Sequence, residues 1–326
     1  MQLFFKAGRI AVYALVLSLM STPTVFAEGQ SEAEVAVDED TLVEFVEVNW
    51  LDIEATTGIT RFVVESLGYE TESSDVSVPV AFQALDSDEA DVFLGIWMPS
   101  MQSEYTRFIE EGSVEEVATN LEGARYTLAV PQYVYDSGVT SIADLDEHED
   151  EFDGEIYGIE SGNDGNRLIL DMIEDDAFGL SGWDLIESSE AAMLSEVGNA
   201  IRNEQWIVFL GWEPHPMNTR FDIDFLADGD DYFGPDYGAA TVRTAVREGY
   251  LEESPNIGRF FQNLEFTLEM ENELMLMIDE EDMDARDAGR EWLAENPGIL
   301  DEWLDGVLAV DGTEGVEAVR AELGLD

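Results

Sequence analysis

From Leu42 onward the chain alternates short apolar segments of strand length with longer stretches of helical periodicity. That alternation constrains the fold more than any other feature, because it demands a sheet covered by helices, an α/β architecture. The spacing predicts strands over Leu42–Val48, Val76–Val80, Val92–Leu94, Thr127–Val130, Ile156–Gly158 and Trp206–Leu210. It predicts helices over Thr57–Leu67, Ser100–Glu111, Asn166–Glu174, Glu190–Asn203, Arg259–Thr267 and Asp282–Glu295. The span Leu121–Val130 leaves one α/β block and enters another, and the Gly- and Asp-rich span Phe221–Val242 returns. We therefore expect two lobes, the first from residues 28–122 and 223–326, the second, 123–222, inserted into it. The acidic tail from Asp284 is expected to be helical and to pack on the outside of the first lobe.

Ahead of these elements, residues 1–27 carry Lys6 and Arg9, then an apolar run from Ile10 to Met20, then Val25-Phe26-Ala27. This is the pattern of a secretory signal peptide, and the run is too short to span a bilayer. No cysteine follows the expected cut, so a lipid anchor of the bacterial lipoprotein kind is excluded, and the expectation is a soluble periplasmic protein. Residues 28–40, rich in Glu, Ser and Ala, read as a mobile leader.

Charge and composition exclude several chemistries. The chain holds 74 acidic and 14 basic residues, a formal net charge of −60. Nucleic acid is excluded as a partner, since phosphates require a basic surface. Lys6 is the single lysine, and beyond residue 27 every basic residue is an arginine. Such a surface repels itself in dilute salt and becomes tolerable where the Debye length shrinks to about 3 Å near 1 M salt. The expectation is a salt-adapted exported protein of a halophile. An acidic calcium-binding protein is the alternative, but no D-x-[DN]-x-[DN]-G loop occurs. The absence of cysteine removes disulfides, thiol catalysis, Cys-ligated zinc and iron–sulfur clusters, and only His148 and His215 stand against a His-rich metal site. No cofactor and no metal are expected.

Three tryptophans share one setting. Trp50 follows the first strand, Trp97 closes Phe93-Leu94-Gly95-Ile96-Trp97, and Trp212 closes Phe209-Leu210-Gly211-Trp212. Ligands of open α/β sheets bind beyond the carboxyl ends of strands. Gly95 and Gly211 are expected to let the backbone turn and bring the rings to that mouth. Tyr126 sits at the edge of a fourth strand. Any one of these tryptophans alone reads as core. Converging, they suit a quaternary ammonium cation, which cannot donate a hydrogen bond and finds its host in aromatic faces. Stacking on a sugar is the alternative.

Asp52 lies two residues beyond Trp50, and in an extended chain the two point to one face. A carboxylate within an aromatic box is costly unless a cation joins it. In Glu160-Ser161-Gly162-Asn163-Asp164-Gly165-Asn166 we expect a tight turn and helix N-cap. There Asn163 can offer its amide to a ligand hydroxyl, and Asp164 is read as structural. His215, in Trp212-Glu213-Pro214-His215-Pro216, lacks a nearby nucleophile motif and reads as a hydrogen-bonded loop histidine rather than a catalyst.

At these residues the sequence resembles the periplasmic substrate-binding proteins of ABC importers for choline and glycine betaine, and among them most nearly those for choline. The resemblance is carried by Asn49–Thr57 (NWLDIEATT), Val92–Pro99 (VFLGIWMP), Asn120–Ala129 (NLEGARYTLA), Tyr157–Arg167 (YGIESGNDGNR) and Val208–Asn218 (VFLGWEPHPMN), within a likeness running from about Val46 to Phe266. It implies a two-lobed periplasmic binding protein fold of type II, with the ligand cleft between lobes that close like a hinge. It implies an aromatic box of Trp50, Trp97, Tyr126 and Trp212 around a trimethylammonium group, with Asp52 adding charge and Asn163 meeting the hydroxyl end. It implies an inner-membrane ABC permease as partner, a monomeric receptor and no enzymatic activity. The scarcity of basic residues sets the chain apart from that pattern and bears on its docking contacts with the permease.

Between the two ligands the residues favour choline. A betaine carboxylate calls for Arg, Lys or clustered amides; no matched box position is basic, and Asp52 repels it. Two readings of other classes stand beside this one: an exported carbohydrate-active enzyme with paired carboxylates, and an acidic or calcium-binding surface protein.

Overall fold

The computed structural model describes Asp38 and residues 40–325. The signal peptide read over 1–27 lies outside the described residues. The strands are β1 (Leu42–Glu47), β2 (Glu70–Asp75), β3 (Val92–Met98), β4 (Val114–Pro131), β5 (Glu155–Tyr157), β6 (Asp184–Ile186), β7 (Val208–Glu213), β8 (Ile223–Phe225) and β9 (Ala239–Arg247). The longer helices are α1 (Leu51–Ser66), α2 (Val78–Asp86), α3 (Gln102–Glu111), α4 (Asp164–Glu174), α5 (Glu190–Arg202), α6 (Pro255–Asn263), α7 (Leu268–Asp279) and α8 (Ala285–Glu295).

The strands form one sheet in the order β2-β1-β3-β9-β4-β7-β5-β6, with β8 also paired to β4. Two parallel groups, β2-β1-β3 and β7-β5-β6, sit at its ends. Between them the long antiparallel strands β9 and β4 join the groups. β4 pairs with β9 as far as Arg125 and from Arg125 to Ala129 with β7, so it passes from one parallel group to the other at that residue. β3 and β7 (VFLGIWM and VFLGWE) are buried almost throughout, as strands covered on both faces must be. Their penultimate residues are Trp97 and Trp212.

Several elements depart from the sequence reading. Val76–Val80, read as a strand from its alternating valines, is instead the start of α2: Ser77 occupies the N-cap and Pro79 sits in the first turn, where its missing N–H costs nothing. The neighbouring strand is β2, whose ETESSD sequence has no apolar period because it is a largely exposed edge. The predicted Arg259–Thr267 helix breaks after Asn263, and Thr267 caps a new helix by accepting from Met270 N–H. Helix α1 begins at Leu51 rather than Thr57, with Asp52 and Glu54 in its first turn, where the positive end of the helix dipole favours acids. The glycines of β3 and β7 do not make turns. A Cβ on Gly95 would meet Ile53, and one on Gly211 would meet the Cβ of Ala129, so both make room for packing inside a strand. The leader read over 28–40 is fixed near its end: the buried Asp38 carboxylate accepts from the N–H groups of Asn256 and Ile257, two unpaired amides at the start of α6, and from Tyr69 OH.

The tail helix α8 lies against α1. A Cβ on Gly289 would fall 2.6 Å from the Ile59 backbone, so the two helices meet at a distance that only glycine allows. This holds the helix that carries Asp52 from behind.

Candidate functional site

The four aromatic residues, Asp52 and Asn163 line a single cavity, together with Ile159 and Asp164; its empty space, open mouth included, is about 270 Å³. Each arrives by a different route. Trp50 is the N-cap residue of α1, in extended conformation, three residues after β1. Trp97 lies near the end of β3. Tyr126 is inside β4, not at a strand edge as read, and stands directly opposite Trp212 of β7 in the antiparallel register. The Tyr126 ring is 6.2 Å from Trp212 at 79° and 5.9 Å from Trp97 at 56°. The rings thus present inclined faces and edges to one space instead of stacking away.

Hydrogen bonds fix the rings in place. Trp50 Nε1–H donates to Glu160 Oε1 at 2.8 Å, and Trp97 Nε1–H donates to Asp52 Oδ2 at 3.1 Å. Tyr126 OH donates to Asn163 Oδ1 at 3.1 Å. Asn163 is the N-cap of α4, since its Oδ1 also accepts from Asn166 N–H at 3.0 Å. A Cβ on Gly165 would fall 2.0 Å from the Tyr126 hydroxyl, so the first turn of α4 can approach the phenol only because residue 165 is glycine.

Asp52 differs from expectation in its backbone. It lies in the first turn of a helix, not in extended chain, so the alternation argument that paired it with Trp50 does not hold. It still lines the cavity, 2% exposed, and its Oδ1 has no hydrogen-bond partner among the described residues. Burial raises its pKa to about 7, Glu190 adds repulsion, and the Trp97 hydrogen bond opposes both. Behind it, burial holds the Glu271 carboxyl of α7 well above the usual range, with Asp52 as the second cause.

Asp164 was read as structural, but the capping role belongs to Asn163. Asp164 is 1% exposed and lines the cavity; its Oδ1 accepts from Asn163 Nδ2 at 3.1 Å, while its Oδ2 has no partner among the described residues. Burial raises its pKa to about 6. Its tight-turn motif gave a signal, but an acid beside an N-cap has an ordinary explanation in sequence. Glu160, also missed, opens the same motif, and Ile159 directly precedes it.

His215 is the buried, hydrogen-bonded loop histidine expected. Its Nδ1 accepts from Met217 N–H at 3.0 Å, so a neutral ring carries its hydrogen on Nε2, facing Glu190 Oε1 at 3.0 Å. The other Glu190 oxygen faces Leu51 N–H at 3.4 Å. Beside the cavity, a wider groove is bordered by Glu54, Asp75, Glu160, Glu190 and Asp279, with Arg220 as its arginine. No group of three or more metal-ligating side chains occurs among the described residues.

A ring-lined cavity with carboxylate oxygens in its wall is the form of a small-molecule binding site. Residues 41–295 match the family described as the substrate binding domain of ABC-type glycine betaine transport systems. The chain belongs to this family, which is one of transport and not of enzymes. A solved ABC-transporter choline binding protein in complex with choline superimposes with a TM-score of 0.85 at 48% identity, over 87% of this chain and 98% of that one. Lactococcal OpuAC, closed on glycine betaine, gives 0.74 at 26% identity, over 81% and 99%. The glycine betaine/carnitine transport binding protein GbuC of Listeria monocytogenes is 35% identical over 159 residues, 49% of this chain and 52% of its own length. The fold is accordingly the two-lobed substrate-binding one.

Proposed function

We propose that the protein captures choline for an ABC importer, with Trp50, Trp97, Tyr126 and Trp212 enclosing the trimethylammonium group and Asp52 supplying countercharge. The observation that carries this reading is the cavity itself: four ring systems and two buried carboxylates share one wall. The similarity to a choline-binding protein of an ABC transporter supports it. A permanent cation offsets the cost of burying an acid, and it asks for no hydrogen bond from the rings.

Glycine betaine is the second reading, supported by the family description. Its carboxylate would face two acids with no arginine or lysine in the cavity wall, so we rank it below choline.

The lobes in this reading are 28–122 with 223–326, and 123–222. Support comes from the change of partner along β4 at Arg125. It comes also from bonds that join residues of the two lobes: Trp50 to Glu160, and Arg167 to Glu104 Oε1 at 2.7 Å and to the Ser100 carbonyl at 2.8 Å. Closure on ligand brings these pairs together, and the closed receptor is then read by an inner-membrane permease. Export to the periplasm by residues 1–27, a monomeric state and adaptation to high salt belong to the same proposal.

Calorimetry in molar salt with choline, acetylcholine, glycine betaine and proline betaine tests the ligand. Choline binding tightest supports the reading, and glycine betaine binding tightest overturns the ranking. Small-angle scattering tests closure: a choline-saturated protein no more compact than the free one contradicts it.

A further inference from the structure

The amide end of α1 is not capped by its own N-cap residue. That residue is Trp50, whose indole offers no acceptor, and it makes no side-chain cap hydrogen bond. The Leu51 N–H, the first of the helix, faces Glu190 Oε2 at 3.4 Å instead. Glu190 stands 139 positions further along the chain, as the first residue of α5. In the lobe division given above, Leu51 belongs to the first lobe and Glu190 to the second. Helix α5 does not need the contact, because Ser189 already caps it by accepting from Ala192 N–H. For α1 the contact brings an acid to the positive end of the helix dipole.

Glu190 is aimed at this amide from its own lobe. His215, 2% exposed, has its Nδ1 taken by Met217 N–H, so a neutral ring points Nε2–H at Glu190 Oε1, 3.0 Å away. That leaves Oε2 to face α1. The His215 ring lies 5.1 Å from Trp212 at 66°. One oxygen of Glu190 is therefore tied beside a ring of the box. The other reaches across the cleft to the helix that carries Asp52.

The contact also carries an electrostatic cost. Burial raises the carboxyl pKa of Asp52, Glu54 and Glu160, and repulsion from Glu190 adds to the rise in all three. Asp52 and Glu54 belong to the first lobe, so closing an empty cleft drives the Glu190 charge against theirs. A cation in the box offsets that repulsion and leaves the Leu51 amide to be capped. Closing is thus opposed when the box is empty and favoured when it is filled. Such a difference between the two states is what any coupling of binding to closure requires.

We propose that Glu190 is the latch that couples cation capture to closure, capping α1 from the opposite lobe, and that His215 is the residue that positions it. This rests on the lobe division and the quaternary ammonium ligand proposed above, and it names the groups that join the two.

The experiment compares the full chain with its Glu190→Ala, Glu190→Gln and His215→Gln variants. Stopped-flow tryptophan fluorescence reads choline association and dissociation, and small-angle scattering reads the compactness of each protein without ligand. Glu190→Ala is expected to speed choline dissociation about tenfold and to change association less than about threefold, because a latch acts after encounter. His215→Gln is expected to speed dissociation about threefold or more, with little further effect when added to Glu190→Ala, since it acts through Glu190. Glu190→Gln keeps the volume and an acceptor oxygen while removing the charge, and its empty form is expected to be more compact than the empty wild type. Unchanged dissociation in Glu190→Ala, or a loss carried by association alone, overturns the latch. Additive effects in the double variant overturn the positioning role of His215. An empty Glu190→Gln protein as open as the wild type overturns the part played by charge. Wild-type protein that neither binds choline nor compacts on adding it overturns the proposed function instead, before any variant is compared.

Discussion

The indole N–H of Trp97, near the end of β3, donates to Asp52 Oδ2 at 3.1 Å, tying a ring of the sheet to the first turn of α1. One oxygen of the carboxylate is thereby spent on holding the ring, and the other, Oδ1, is left facing no partner among the described residues. Ring and charge are thus set as a unit before any ligand enters, which is the condition for binding without a large ordering cost.

Asp52→Asn is expected to keep the ring in place, since the amide oxygen can still accept from Trp97, while removing the countercharge. Choline affinity should fall by about tenfold, ~1.4 kcal/mol, and glycine betaine affinity by less. Calorimetry on both ligands checks this. Loss of glycine betaine with choline untouched would reverse the ligand ranking.

Trp50→Ala, Trp97→Ala and Trp212→Ala should each weaken choline binding by about 0.5–2 kcal/mol through lost cation–π attraction. Trp97→Ala should cost the most, because it also strips Asp52 of its buried donor. Parallel titrations of the three variants, with melting curves as a folding control, check the order.

Gly165→Ala tests the contact that positions Tyr126. The added methyl would overlap the phenol oxygen, and overpacking of this kind costs about 1–3 kcal/mol. The expected outcome is a lower melting temperature together with weaker choline binding. A variant as tight and as stable as the wild type would show that the phenol is free to move aside.

Protons should compete with the cation. Burial raises the Asp52 pKa to about 7 and the Asp164 pKa to about 6 in the protein alone. Facing Asp52 are Glu190 from α5, Glu271 from α7 and the Trp97 indole; facing Asp164 are the Ser100 hydroxyl, which favours its ionised form, Glu104 from α3 and Arg167 on its own helix. Both acids hold a proton in the folded chain at a pH where the unfolded chain has released it. Their contribution to stability therefore declines as pH rises from about 4 to 7. Choline binding runs the other way, because the cation pairs with the ionised form. Affinity should be level above pH 8 and fall as the pH drops through 7 to 5. Calorimetry in buffers of different ionisation enthalpy should show protons released on binding at pH 6 and few at pH 8.

Much of this site is legible in sequence because its rings sit at strand ends and its motifs are contiguous. Trp97 and Trp212 follow the same apolar pattern, and their burial on both faces of the sheet follows from it. Asp52 is less legible: it lines the cavity, but the extended-chain argument that singles it out fails in the first turn of a helix. Asp164 was hidden by a competing local explanation, since only the three-dimensional contacts assign the cap to Asn163 and leave Asp164 Oδ2 over. The bonds from Trp50 to Glu160 and from His215 to Glu190 join residues 110 and 25 positions apart, and no period or motif encodes such pairings. The strand β2 escaped because an exposed edge carries no apolar pattern, and Val76–Val80 misled because Val78 and Val80 can stand in the first turn of a helix that a Ser N-cap and Pro79 between them start.

The most direct test is a choline titration followed by calorimetry on the full chain in 2 M salt. Choline has seven heavy atoms, so a ceiling of about −1.5 kcal/mol per atom limits affinity to a Kd of roughly tens of nanomolar. The expected result is saturable binding of one choline per chain, micromolar or tighter, little changed between low and high salt because the box is buried, and weakened in Trp97→Ala. No saturable heat at millimolar choline, or binding indifferent to the loss of Trp97, would contradict it.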